Sequence, residues 1–569
     1  MKRGLAVLLL AFQILSAPAY ARRRAVGQPS NGSLPVANFI DTEIGAKLQQ
    51  NGIAPAQRSG DTEFLRRITL DLTGTIPSPA DVDAFLADGR TDKRARKIDD
   101  LLRSDAFVDR WTLWFGDLVQ NVQVSDNARE YYLGKNAYYA WIKDSIRTAK
   151  PYDAMVRELL AGEGDSFQSG VANYVVRQLQ RNGPPQDTYD NLATHSAEKF
   201  LGIPVLCISC HSGPSHLELV NIYLRGKTRD DFWKMAAFFS RAAARGTRYT
   251  DPANPNANLI RYDVVSNANG SYRLNTTDGN KSPRAPAPGQ SDTVTPAFLL
   301  TGEQPRAGEA YRAAYGRMLT ADRQFARATV NYLWKEMFGR GLVEPVNGFD
   351  LARLTVQPSH PALLEALADE LISKGFSLRE MLRTIASSNA YQLSSSYGGT
   401  APDQSYFARR LPRRLSAEVL LDAITTATAV PIQLPVQGMA NVTKAMQLPD
   451  PLDARRSPAS QFLDRFGRGN RDDVARTNDS AISQALSLLN DPIVTNRVRR
   501  TNNSTVQKVL AATNDPGTVA DQLYLATLSR RPTAAERTIA INYLRGGTLA
   551  ERAEDLQFAL LNTLEFLFV

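Results

Sequence analysis

The chain is poor in the two residue types that most often carry chemistry. It holds two cysteines in 569 residues, Cys207 and Cys210, and four histidines, His195, His211, His216 and His360. So few cysteines exclude a disulfide-dense scaffold. There is no second C-x-x-C pair to complete a four-thiolate zinc site. Charge of one sign is scarce as well. Lys plus Arg number 67 and Asp plus Glu 58, a net +9 spread without any block of five or six like charges. That balance argues against a nucleic-acid partner, while a mildly basic surface suits acidic partners or anionic glycans. Long apolar runs are missing beyond the first segment, so no transmembrane segment is expected in the mature chain.

What remains is ordinary globular composition, 43% hydrophobic and 22% charged, which excludes wholesale disorder and collagen-like repeats. The length corresponds to about three to four domains and can bury a large core without covalent staples.

Residues 1–21 read as an export address. Lys2 and Arg3 precede an apolar core at 5–15, and Ala19-Tyr20-Ala21 matches the small-x-small cleavage pattern. Cleavage after Ala21 places the mature protein in the periplasm or outside the cell. No cysteine follows to take a lipid. Residues 22–35 are polar and rich in Gly, Pro and Ser, a flexible linker.

Helical periodicity dominates the rest. Amphipathic stretches cover 39–50, 62–72, 79–88, 92–103, 106–122, 137–147, 152–160, 187–201 and 229–245. Composition changes over 243–307. There, 259–265 and 271–276 read as strands, with Asn269-Gly270 between them as a hairpin turn, and 281–290 is rich in proline. Helices resume over 308–569, and Ser377/Glu380 and Thr533/Glu536 have the spacing of capping boxes. The apolar end, with Leu564, Phe566, Leu567 and Phe568, is expected to dock into the core. The fold expected is mainly α. A helical domain at 36–242 and another at 308–569 are joined by a small β-hairpin and proline-rich segment.

Cys207-Ile208-Ser209-Cys210-His211 is a C-x-x-C-H motif, the spacing of covalent haem c attachment. Two thiols one helical turn apart reach the two vinyl groups on one porphyrin edge. The next histidine then faces the iron as proximal ligand. This attachment takes place outside the cytoplasm, in agreement with the export address. Met235 and His195 are the candidates for the distal position. Two other readings stand beside it: a disulfide or thiol-redox pair, and a zinc site built from Cys207, Cys210, His211 and His216. His216 follows His211 too closely to wrap around to the opposite face of a haem. His360 precedes a proline at a helix start and is expected to be structural.

Several stretches together resemble a bacterial exported two-part family, domains of unknown function 1549 and 1553, called planctomycete cytochrome C-like. In the first part these are residues 64–74 (FLRRITLDLTG), Phe200-Leu201-Gly202 running into 207–211, and Ala236-Ala237-Phe238-Phe239. In the second they are 338–343 (FGRGLV), Pro358-Ser359-His360-Pro361, Tyr391-Gln392-Leu393-Ser394, 412–418 (PRRLSAE) and Gln484-Ala485-Leu486. The resemblance implies an exported, mainly helical protein; the cytochrome label of the family rests largely on the C-x-x-C-H motif itself. Many relatives carry a further histidine two residues after the motif's own, often followed by proline. Here Gly213-Pro214 takes that place. An electron carrier needs a redox partner protein; the resemblance for its part implies an exported sulfatase-like partner and a link to polysaccharide use.

Phe-Gly-Arg-Gly occurs at 338–341 and 466–469. The glycines suit helix C-caps, and Arg340, Arg468 and Arg471 suit anion or glycan contacts. Asp472-Asp473 is a neighbouring acid pair. No nucleophile elbow, phosphate loop or zinc-protease helix is present, so no catalytic residue is named. The functions left are an exported haem protein that carries or senses electrons, a non-haem binding or scaffold protein with a C-x-x-C disulfide, and a carbohydrate-active enzyme with its site in the C-terminal half.

Overall fold

The computed structural model describes residues 34–123, 131–256, 258–277, 279, 281–454, 457–471, 474, 476–477, 482–500 and 503–569. The export address at 1–21, most of the 22–35 linker and Asp472-Asp473 lie outside the described residues. Helices dominate and strands are few and short, so the fold is mainly α. No helix among the described residues is long and apolar enough to cross a membrane. Two compact units divide the chain, one formed by 1–113 with 386–569 and the other by 114–385.

The first unit has a helix at its centre that is buried all round. In Asp61–Thr73 every residue from Phe64 to Thr73 is buried, and within that stretch Arg66, Arg67 and Asp71 are the charged ones. Gly74 ends it in the left-handed region (φ 69°), its N–H returning to the Leu70 carbonyl. A Cβ at Gly74 would stand 2.7 Å from the Met446 sulfur, so glycine serves both the turn and the packing.

Such a helix carries its charges into the core, where each needs a partner. Asp71 accepts from the Tyr391 hydroxyl at 2.7 Å, from Arg410 at 3.0 Å and from Arg413. Arg67 donates to the carbonyls of Tyr391 and Leu393 at 2.9 and 2.8 Å and pairs with Glu63 at 2.6 Å. Around this polar centre lies the apolar core of Ala417–Thr428, Pro516–Leu528 and Leu549–Leu561. Of the apolar chain end, Phe566 docks there fully buried and Leu567 packs against it partly buried, whereas Leu564 stays exposed. The Thr533/Glu536 capping box is present in both directions.

In the second unit, Tyr152–Ala161 packs against Tyr311–Ala321, and Arg323–Phe338 against Pro361–Ser373. His360 is the buried N-cap residue of Pro361–Ser373, its Nδ1 3.3 Å from the Ser359 hydroxyl, in keeping with a structural role. Gly339 caps Arg323–Phe338 in the left-handed region (φ 84°).

The strands depart from expectation in two ways. Helix Arg229–Ala236 and a 3-10 turn at Ala237–Phe239 stop short of the expected 245, because Ala242–Thr250 (β2) is a strand. Its alanines favour helix, but pairing along the whole of Asn258–Ser266 (β3) overrides them. β3 also pairs with Gly164–Asp165 (β1), giving the antiparallel order β1-β3-β2. With both of its edges occupied, β3 has no room for the strand after Asn269-Gly270. The chain does turn there, Gly270 N–H meeting the Asn267 carbonyl at 3.0 Å. The next strand, Tyr272–Arg273 (β4), pairs instead with Thr293–Val294 (β5).

Asp71 dominates the first unit energetically. Burial raises its pKa, but the guanidiniums of Arg410 and Arg413 and the Tyr391 hydroxyl outweigh this and hold it below the ordinary value. Asp71→Ala strands the buried Arg410 and is expected to lower unfolding stability by about 3–5 kcal/mol in urea titration. A carboxyl with a depressed folded-state pKa stabilises fully above its unfolded value. The wild-type margin over Asp71→Ala is therefore expected to be constant near neutral pH and to shrink as pH falls below about 4.

Candidate functional site

The C-x-x-C-H segment lies within the second unit. Helix Pro185–Ser196 runs into a π-type turn at Ala197–Leu201 and stops at Gly202, which is left-handed (φ 67°). A Cβ on Gly202 would stand 2.7 Å from the Phe349 ring, and its carbonyl accepts the Phe349 N–H at 2.9 Å. The chain then makes a short helix, Leu206–Cys210, packed against Pro185–Ser196 and Arg229–Ala236.

That helix buries Ile208 and Ser209 and turns its other face outward. Cys207 is exposed and Cys210 half-buried, and both thiols are free. Spacing i, i+3 sets the two sulfurs on the same face. The Ser209 hydroxyl donates to the Leu206 carbonyl at 2.6 Å and lies 3.6 Å from the Cys210 sulfur. Arg229 starts helix Arg229–Ala236 and stacks over Trp233 at 4.7 Å.

His211 leaves the helix in extended backbone (φ −145°, ψ 157°). Its half-buried ring lies beside that of the exposed His216, centroids 4.4 Å apart. The two imidazoles therefore stand next to each other, not on opposite sides of a common ligand. The loop between them is held from below. Gly213 N–H donates to Lys227 O at 2.8 Å, and Asn221 donates to Phe349 O at 3.0 Å while capping Ile222–Arg225. Asp350 accepts from the N–H groups of Ile222 and Tyr223.

The remaining sequence candidates lie inside. Met235 is fully buried on Arg229–Ala236. His195 is 6% exposed; its Nδ1 meets the Tyr174 hydroxyl at 3.0 Å, and its Nε2 has no partner. Burial, followed by the charges of Lys199 and Arg177, pushes its pKa well below the ordinary range, so the ring is neutral. Among the described residues, no three His, Cys, Asp or Glu side chains converge to hold a metal ion. The two thiols and two imidazoles thus do not make the four-ligand zinc site. Arg468 and Arg471 are spent internally, Arg468 on Asp464 and Ser460, Arg471 on the carbonyls of Pro449 and Leu113.

Sequence reasoning missed the surface around the motif. Leu206, Leu219, Val220 and Ile222 are all exposed, Leu219 almost completely at 99%. Four large apolar side chains within residues 206–222 are thus exposed around the motif. The run Leu217 to Ile222 carried the signal, but its pattern reads equally well as a buried turn.

The donor set suits a covalent haem. Cys207 and Cys210 are unpaired and accessible, His211 follows at the helix end, and apolar side chains flank them. Alkylation of the haem-free protein is expected to modify Cys207 several-fold faster than Cys210, read by peptide mass mapping; equal rates contradict the exposed and half-buried placement. A Cβ at Gly213 would stand 2.0 Å from the Leu224 carbonyl oxygen and 2.9 Å from the Arg225 backbone. Gly213→Ala must move backbone and is expected to cost about 1–3 kcal/mol in thermal or urea unfolding.

A family model described as a protein of unknown function, DUF1549 (PSCyt2), matches residues 39–244. A second, also of unknown function, DUF1553 (PSD1), matches residues 312–544. No curated protein matches the chain, and no solved structure does. With both models matched in tandem over most of its length, the chain belongs to the two-part family of DUF1549 and DUF1553 proteins.

Proposed function

We propose that this chain is an exported c-type haem protein that transfers or senses electrons. One observation carries the reading: two free thiols at i, i+3 on the outward face of a short helix, with His211 at its end and exposed apolar side chains alongside. Cys207 and Cys210 would hold the haem through thioethers, and His211 would ligate its iron. When bound, haem supplies one-electron chemistry. The name of the first family part and the export pattern of residues 1–21 support the same reading.

The chain's own contribution is to hold the attachment helix still. Buried Ile208 and Ser209 fix its inner face, and the Gly213, Asn221 and Asp350 contacts fix the following loop. The exposed Leu206, Leu219, Val220 and Ile222 would shelter the group from water and offer a redox partner protein an apolar landing. Met235 and His195, the two candidates for a second ligand, are both buried.

The test is export in a host with haem-attachment machinery, followed by a haem-stained denaturing gel and a pyridine haemochrome spectrum. The expected result is a haem band that survives denaturation and is lost in the Cys207→Ala/Cys210→Ala double variant. A colourless protein lighter by two hydrogens than the reduced chain overturns the haem reading and supports a scaffold with a C-x-x-C disulfide.

A further inference from the structure

The first unit contains a cavity of about 600 Å³ that is separate from the thiol site and independent of whether haem is attached. Three features of its lining point the same way.

The first is Arg66. The helix Asp61–Thr73 is buried all round, so this guanidinium is 93% enclosed, and its contacts are neutral. It donates to the carbonyls of Thr527 and Phe566 at 3.2 and 3.1 Å and to the Ser529 hydroxyl at 3.2 Å. Its Nε has no partner at all. The other cations of the lining differ: Arg67 is paired with Glu63 at 2.6 Å, and Arg530 with Glu565 and Glu536 at 2.6 and 2.8 Å. Burial brings the pKa of Arg66 down to about 10, with Glu565 working against that and Arg530 adding to it, so it is fully charged at neutral pH. A buried cation with only neutral acceptors is costly unless an anion completes it.

The second is the start of the same helix. Gly60 and Thr62 line the cavity, and Gly60, as N-cap, supplies no side-chain acceptor to the first turn. The nearby Asp61 carboxylate is turned to Lys93 and Arg94. Uncapped N–H groups and the positive helix end favour a negative ligand. The third is shape. Leu564, Phe568 and Pro412 form an apolar wall, and Leu564 is 62% exposed. A bare inorganic ion leaves that wall wet, whereas a ligand with an apolar face covers it.

We infer that this cavity binds a small organic anion, a carboxylate or sulfate ester with an apolar face, its charge taken by Arg66 and the first turn of Asp61–Thr73. Glu63 and Glu565 flank the site and favour a single negative charge with neighbouring donors over a polyanion.

The test is isothermal titration of the full chain with benzoate and phenyl sulfate, with benzyl alcohol as the neutral counterpart. Both anions are expected to bind, more weakly as salt rises, and benzyl alcohol at least about tenfold more weakly than either. Leu564→Glu and Ser396→Glu add a negative charge at exposed positions of the lining without touching Arg66. Each is expected to weaken anion binding at least about tenfold while leaving the urea unfolding midpoint unchanged. Because the two positions lie on different segments, a folding defect in one leaves the other as the test. Failure of both anions to bind, equal binding of benzyl alcohol, or wild-type affinity in the correctly folded variants overturns the inference. None of these outcomes bears on haem attachment.

Discussion

The buried carboxylate of Asp71 is the interaction on which the first unit depends. It sits on a helix enclosed on every side, and the guanidiniums of Arg410 and Arg413 come to it from the other end of the chain. An enclosed helix with charged residues is unstable unless all its charges are matched, so Asp71 dictates where residues 391–413 must run. Their carbonyls then take up Arg67. The order of these constraints explains why a run as charged as Phe64-Leu65-Arg66-Arg67-Ile68-Thr69-Leu70-Asp71 folds as core and not as surface.

The thiol segment follows the opposite logic. Its charges and sulfurs face outward, and the backbone carries the constraint. Gly202 and Gly213 sit where a side chain would strike Phe349 or the Leu224 carbonyl. Asn221 and Asp350 take up the backbone and capping groups that the tight loop leaves over. The result is a backbone held rigidly beneath and two thiols, one exposed and one half-buried, above. A buried metal site, by contrast, needs its ligands to converge.

Much of this was legible in the residues. Scarcity singled out Cys207, Cys210 and His211, and 3.6-residue periodicity gave the mainly α class. What escaped was decided by tertiary context. Nothing local tells that β3 already has partners on both edges, so a sound turn signal at Asn269-Gly270 led to the wrong strand pair. Residues 242–250 have helix-favouring alanines and become strand only because a long partner is available. The His211–His216 contact and the exposed apolar residues at 219–222 depend on a loop path set by Gly213 and Asp350. Arg66 looked like the polar side of an amphipathic helix. Its isolation appears only when Arg67 and Arg530 are seen to have taken the carboxylates.

The same packing accounts for why the two family parts occur together. Residues 39–244 and 312–544 each contribute to both compact units, since the units divide after residues 113 and 385. In the first unit, helix Asp61–Thr73 from the first part needs Tyr391, Arg410 and Arg413 from the second. In the second unit, the turn that leads to the thiols is held from the second part: Gln324 donates to Leu201 O at 2.8 Å and Phe349 to Gly202 O at 2.9 Å. Either part alone leaves a buried carboxylate or buried carbonyls without partners, at a cost of about 1–3 kcal/mol for each neutral group and more for the charge. A chain with only the first part would present the C-x-x-C-H motif without the residues of the second part that complete both cores, so the motif and the second part form one folding problem.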